Sequence, residues 1–476
     1  MSVTRRELLE ALGLASGYAF AFAACGPPPK PPRRAPEELS GEVRGWLRDA
    51  VAAIHGAGLT GHALAVSRSY QVAAVDVLGA SANHARADGV VLVASDAHGR
   101  REQVTSDLTS EGIAGAVLAL VGHATPARLQ FGPPAAPPPP PKPDPEQLAD
   151  SALLDSLATI AKRDKGLTSR IVYASDLVEV DDATVWSVAE HRDLEQRLYR
   201  VRRQIARVAW NGTRPLIVEV SRAWSGGFAD QTFGDDELAY ARDTALALMT
   251  PGSFADGEHD LVLAPDVVAG IVDAAARVLW TTRAAKRPEI AARFTPDRMI
   301  GSAAVTIVDD PTVAHAYGGF RFDDAGEPAV AVPLIERGKL VGKIAHGLRP
   351  GHTGVLEPMP SHVRFAPGTS ETALALDAGY LLEGHRDVRV DPASDRIVIA
   401  VQRALEVQHG QRTGRVYAEI ELVGDLTALL GSITAATKAT RVTGVREVRD
   451  GLPRWRSVEA PWLRARGLVR ARRSQT

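Results

Sequence analysis

His346, His352 and His362 lie close together in the chain and are the side chains best suited to hold a metal. A hydrolytic zinc centre needs about three such protein ligands and a bound water, and imidazole nitrogen suits zinc. Their spacing fits no single helix face, and the Gly and Pro residues between them imply loops. They are expected to be scattered surface histidines, with a metal site as the alternative. His55 and His62 are separated by a Gly-containing turn and are not expected to act together. His259 and Asp260 open a strand and are expected to be solvated. Asp309-Asp310 and Asp323-Asp324 stand beside Pro311 and Gly326, where Asp bonds nearby backbone, so turn-forming and capping roles are expected before catalytic ones. Ser-His-Asp partners need not be sequential, and nothing nominates a particular serine. No G-x-G-x-x-G, P-loop or G-x-S-x-G motif stands in the strand-to-helix context those motifs require.

Cys25 is the one cysteine, which excludes both an intrachain disulfide and a cysteine-built zinc cluster. Its setting suggests attachment instead. Arg5 and Arg6 precede an apolar stretch, Ala11 to Ala24, too short and too rich in Ala and Gly to span a bilayer. Thr4-Arg5-Arg6-x-Leu8-Leu9 resembles a twin-arginine export signal, and Phe22-Ala23-Ala24-Cys25 resembles a lipobox. Residues 1–25 are therefore read as a signal peptide with a lipobox-like end. Cys25 is the expected lipid anchor of a lipoprotein in the cell envelope, held to a membrane by acyl chains. An amphipathic N-terminal helix with an incidental cysteine, in a cytoplasmic protein, is the alternative.

The elements that must position any chemistry follow from periodicity and punctuation. Residues 26–40 form a Pro-rich tether, and 131–145, with Pro137 to Pro141, a second Pro-rich insertion. An N-terminal α+β lobe spans 41–130. It opens with a helix at Glu42–His55, followed by strands at His62–Val66, Gln71–Leu78 and Gly89–Val93 and a helix from Ser110 to Val121. A helix at Glu146–Lys162 starts the region 146–257. Strands are expected there at Ile171–Tyr173, Ala183–Ala189, Arg197–Trp210 and Leu216–Val220, with Asn211-Gly212 as a hairpin turn and a helix at Asp235–Leu248. Residues 258–476 form a C-terminal domain. A strand at His259–Ala264 leads into a helix from Pro265 to about Trp280. A meander follows (Ala303–Val308, Ala329–Ile335, Leu340–His346), then a strand at Ser361–Ala366, a short helix at Thr369–Asp377 with Ser370 as a candidate cap, strands at Ile397–Leu405 and Arg415–Leu422, and a helix at Leu426–Thr437. The fold class is α+β, with an N-terminal α/β lobe and a C-terminal lobe rich in antiparallel strands. A formal net charge of -2 argues against a dedicated nucleic-acid binder.

Three ordered segments carry a resemblance. They are Val305-Thr306-Ile307-Val308-Asp309-Asp310, Phe322-Asp323-Asp324-x-Gly326-x-Pro328 and Leu334-Ile335-x-x-Gly338-x-Leu340. With His259 to Val272 and Gly414 to Asp425, they resemble the TldD/PmbA (TldE) family, whose founding members form a zinc-peptidase complex. The resemblance implies a TldD/PmbA-like domain over 258–476. It also implies that the helix beginning at Pro265 corresponds to one which, in TldD-type members, carries H-E-x-x-x-H. There the two histidines hold zinc and the Glu activates water, and a cysteine near the C-terminus completes the site. This chain has Asp273-Ala274-Ala275-Ala276-Arg277 at about that place, no histidine from Leu261 to Ala314 and no cysteine after Cys25. The resemblance thus implies a pseudoenzyme of the non-catalytic PmbA/TldE type, without a metal of its own. It would bind extended peptides by strand addition and serve proteolysis through a zinc-bearing TldD-type partner subunit. An active metallopeptidase or other hydrolase with unrecognised ligands is the alternative.

Overall fold

The structure is a computed structural model that describes residues 36–77, 79–122, 127–131, 148–164, 166–212, 215–347, 349–350, 356–369, 374–449 and 452–472. Arg5, Arg6, Cys25, His352, Ser370 and most of both Pro-rich tracts lie outside these residues. Two compact units divide the chain. One takes residues up to Tyr199 with Ile205–Glu219 and Phe233–Met249. The other takes Arg200–Gln204, Val220–Thr232 and Thr250 onward.

The first unit is built on a six-stranded sheet. Its strands are β1 (Thr60–Asp76), β2 (Gly79–Asp96), β3 (Gly99–Thr105), β4 (Ile171–Ala189), β5 (Arg192–Trp210) and β6 (Pro215–Ser225), in the order β3-β2-β1-β4-β5-β6. The pairs β1–β2, β2–β3 and β1–β4 are antiparallel. Among the described residues, α1 (Pro36–Gly56), α2 (Ser110–Val121), α3 (Asp150–Arg163) and α4 (Asp235–Ala247) accompany it. The apolar stripe of α1, with Val43, Leu47, Val51 and Ile54, meets Ile113 and Val117 of α2, Ala63 and Ala65 of β1, and Trp186 of β4. Thr109 caps α2 by accepting from the Gly112 N–H at 3.1 Å.

The strands run longer than periodicity alone indicates. Where breaks are expected inside β1 and β4, the chain stays extended, because the polar residues at those places pair across the sheet. Ser67 donates to Asp88 at 2.7 Å, directly opposite in register. Tyr70 donates to Glu179, and Arg68 lies 3.1 Å from Asp181. Arg207 on β5 donates to Asp164 and Asp176 at 2.7 and 2.9 Å, so two buried carboxylates share one guanidinium. Asn211 and Gly212 stand between β5 and β6, with Gly212 at φ 97°, but residues 211–214 separate the strands where a two-residue hairpin turn is expected.

The second unit holds a larger sheet around a buried helix. Its strands are β7 (Gly257–Leu263), β8 (Ile307–Asp309), β9 (Val332–Glu336), β10 (Lys339–Leu340), β13 (His362–Phe365), β14 (Ala378–Val390), β15 (Arg396–Gln408), β16 (Gln411–Asp425), β17 (Ala435–Arg449) and β18 (Leu452–Ala471); β11 (Arg349–Pro350) and β12 (Leu356–Glu357) pair with each other separately. The path runs β10-β9-β8-β13-β18-β16-β15-β14-β7. Since β7 also pairs with β18, five strands close into a ring. Helix α5 (Pro265–Val278) is buried from Pro265 through Ala276 at every position but Asp266, as an all-round apolar helix should be. Short helices α6 (Pro288–Arg293) and α7 (Leu426–Gly431) complete the unit.

Several expectations need correction here. The third meander strand is only β10, because the backbone beyond it turns away and the Ile344 N–H donates to the Trp280 carbonyl. The helix from Leu426 ends at Gly431. Ser432 turns the chain, donating to the Leu429 and Arg466 carbonyls, and the β-branched run after it becomes β17. Strand β14 is unforeseen. Its charged residues and the register shift between His385 and Asp387 hide its alternation. Of the helix expected at Thr369–Asp377, residues 370–373 lie outside the described ones, and the described residues 374–377 form no α-helix.

Candidate functional site

Helix α5 begins with Pro265 at its first position, which presets φ and gives up no needed donor. Its buried face is Val, Ile, Ala and Gly except at Asp273. A carboxylate there must find a cation, since burying it alone would cost several kcal/mol. Arg456 of β18 supplies it through a two-pronged contact, Nε to Oδ1 at 2.7 Å and Nη2 to Oδ2 at 3.1 Å. The third prong, Nη1, donates to Glu447 of β17 at 2.9 Å. Arg277, one turn along α5 from Asp273, reaches the other oxygen of Glu447 at 3.4 Å. Four charges therefore tie one helix to two strands.

The titration of these groups follows from the pairing. Burial alone would raise the Asp273 carboxyl, but Arg456, Arg277 and His385 hold it below the usual carboxylate range. Burial works against the charged form of Arg456, and its two carboxylates overcome this and raise it. Burial of Glu447 is likewise outweighed, mainly by Arg456 and Arg277, so its pKa is lowered. On β14, His385 packs against Gly270, where an added Cβ would sit 2.9 Å from the imidazole ring. Its Nδ1 is buried without a hydrogen-bond partner among the described residues.

A second polar cluster adjoins the first through β18. Asp309, fully buried, accepts from the Ser361 N–H, the Ser361 hydroxyl and the His362 N–H at 3.0, 2.8 and 3.1 Å. Its other oxygen lies 3.0 Å from His346 Nε2. His362 Nδ1 lies 2.8 Å from Ser457 Oγ, which also accepts from the Gly318 N–H. Glu459 stands 3.9 Å from His362 Nε2. His362, Thr440 and Arg364 together outweigh its burial and hold its carboxyl down to about 2. Serine, histidine and carboxylate thus meet, but Ser457 is 0 % and His362 1 % exposed, so no substrate reaches the hydroxyl. The cluster fastens β8, β13 and β18 together.

The sequence-derived candidates distribute as follows. His346 and His362 are buried, not scattered on the surface, and Asp309 and Ser457 each engage one of their ring nitrogens. His352 lies outside the described residues. His55 pairs with Glu190 at 3.7 Å and His62 lies 2.9 Å from Ser187, so the two serve different contacts. His259 is half-buried against Phe254 and Tyr380 instead of solvated, with ring centroids 5.8 and 4.8 Å away. Asp310 and Asp323 are turn formers, accepting from Thr312 and from the Ala325 and Glu327 amides. Asp309 instead joins separate segments. Arg456 and Glu447 were missed in the sequence because no strand pairing placed β17 and β18 beside α5.

Among the described residues, no group of three or more His, Cys, Asp or Glu side chains could hold a metal ion. On α5 itself, both oxygens of Asp273 are occupied by Arg456, and the three residues after it are alanines. The described residues of α5 do not fit a catalytic zinc.

Residues 256–470 match the PmbA/TldA metallopeptidase C-terminal domain. A metalloprotease of Methanocaldococcus jannaschii is 22% identical over 233 residues, 45% of this chain and 51% of that protein. The chain thus matches about half the length of that relative. TldE from Thermococcus kodakarensis has the same fold with a TM-score of 0.72 at 14% identity, over 90% of this chain and 100% of that one. A modulator of a DNA gyrase from Thermotoga maritima matches with a TM-score of 0.70 at 14% identity, over 92% of this chain and 100% of its own.

Proposed function

Because the chain belongs to the TldD/PmbA (TldE) family, which is related to metallopeptidases, we propose that it is a non-catalytic, TldE-like subunit in proteolysis. In this reading it binds extended peptides and works with a zinc-bearing TldD-type partner subunit. The observation that carries the proposal is the Asp273–Arg456 ion pair, which fills the buried face of α5 with charges that satisfy each other. No general base and no water-activating ion follow from such an arrangement.

Peptide binding needs main-chain donors and acceptors rather than a metal. Two strand stretches offer them. Among the described residues, β17 pairs only with β18. From Gly79 to Gly89, β2 pairs only with β1, since β3 joins it at Val90. A strand edge with no second strand beside it accepts an added strand without regard to most side chains, although in β17 the Thr437 carbonyl already accepts from the Gly368 N–H. Hydrogen exchange with an unstructured peptide added in excess is the test. Slower amide exchange along β17 or along residues 79–89 is expected. Unchanged exchange at both edges would sink the strand-addition reading.

We further propose export by the Arg5-Arg6 signal and attachment to a membrane through lipid on Cys25. The Pro-rich residues 26–35, ahead of α1, would then be the tether. No described helix is long and apolar enough to cross a membrane. Wild-type protein is expected in the membrane fraction and Cys25→Ser in the soluble fraction. Wild-type protein in the soluble fraction, with an unmodified Cys25 by mass spectrometry, contradicts the proposal.

A further inference from the structure

We propose that Arg456 is the resident cation of this chain: its guanidinium fills, from within, a buried cation site formed by Asp273 and Glu447. The inference concerns what replaces a metal, and it stands whether or not the chain binds peptides.

The geometry is that of a bound ion more than of a surface salt bridge. The Arg456 side chain is 3% exposed and donates from all three guanidinium nitrogens, two to Asp273 and one to Glu447. Its carboxylate ligands come from different elements, α5 and β17, while the cation itself comes from β18. A metal ion joins separate elements in the same manner, by drawing their carboxylates onto one centre. The charge also balances. Asp273 and Glu447 contribute two negative charges, and Arg456 and Arg277 two positive ones, the balance a divalent cation would reach with the same carboxylates. Gly318 packs closely on the Arg456 backbone, where an added Cβ would lie 2.9 Å from its Cα. Nearby, among the described residues, His385 Nδ1 and Arg277 Nε are buried without a hydrogen-bond partner.

A guanidinium fixed this way behaves unlike a metal in three respects. It cannot be chelated, cannot polarise a water, and is lost only by mutation. The inference therefore separates the structural part of a metal from its catalytic part, and keeps only the first.

Chemical rescue tests it. Thermal unfolding of the whole chain is followed for wild type and Arg456→Ala, with added ethylguanidinium and with sodium chloride at matched ionic strength. Zinc and a chelator are expected to leave the wild-type Tm unchanged. Arg456→Ala is expected to lower Tm by more than 10 °C, and ethylguanidinium to restore part of it in a saturable way that sodium chloride does not reproduce. A rescue equal to that of sodium chloride, or an unshifted Tm for Arg456→Ala, overturns the proposal. If Arg456→Ala does not fold, Arg456→Lys and Arg456→Met are compared. A higher Tm for Lys supports a required cation, and an equal or higher Tm for Met overturns it. Neither arm reads peptide binding, so failure here leaves the proposed function untouched, and failure there leaves the cation site untouched.

Discussion

Asp309→Ala is expected to lower the stability of the second unit by about 4 kcal/mol. The residue is fully buried, and one of its oxygens takes three donors while the other faces His346. Two of those donors are backbone N–H groups, of Ser361 and His362, which cannot rotate toward another acceptor. A buried donor left without a partner costs roughly 1–3 kcal/mol, and the substitution orphans several at once. The neighbouring Asp310 provides the control. Its carboxylate accepts from Thr312 in an exposed turn, and water can replace it there. Asp310→Ala is expected to cost less than about 1 kcal/mol. Denaturant unfolding of both variants checks this. Equal losses for the two would mean that Asp309 is one more turn residue and that the cluster holds nothing together.

That contrast shows what the sequence can and cannot reveal. Asp309 and Asp310 are identical in type and adjacent, so local rules assign both to a turn. Only the arrival of β13, some fifty residues later, makes one of them a hub. The histidines were misjudged for the same reason. Gly and Pro around His346 and His362 do mark irregular backbone, but irregular backbone can be buried when a carboxylate satisfies it, as Asp309 does for the Ser361 and His362 amides. Elements set by local periodicity were legible: α1, α2, α4 and α5 fall near their expected places. Long strands with polar interiors were not, because the partners that justify Ser67, Tyr70 and Glu179 lie on other strands.

The candidate site divides along the same boundary. The absence of metal ligands on α5 is local information, and the sequence displays it. The presence of a substitute is not local. Arg456 lies 183 positions from Asp273, and a strand rich in arginine gives no sign of which guanidinium turns inward. The buried carboxylate of α5 sits in a charge-balanced contact across three elements, which is the condition under which a charge can be held in a core.

Gly338→Ala is expected to cost about 3–4 kcal/mol, well above the cost of the same change at Gly58. The two glycines have nearly the same backbone, φ +84° and +80°, so each variant forces alanine into the left-handed region at about 1–2 kcal/mol. Their surroundings differ. Nothing lies within 4 Å of a Cβ at Gly58, whereas at Gly338 the new carbon would sit 2.2 Å from the Gly301 carbonyl oxygen and 2.6 Å from that of Ser302. Those atoms are backbone and cannot step aside. Moving them would break the bonds by which the Ile300 and Gly301 amides reach the Gly338 carbonyl and the Gly338 amide reaches Val305. The tight β9–β10 turn is thus pressed into the segment before β8 because its third residue has no side chain. Unfolding free energies of the two variants isolate the contact from the dihedral strain. A difference of less than about 1 kcal/mol between them would show that the segment yields, and that this junction is softer than its hydrogen bonds imply.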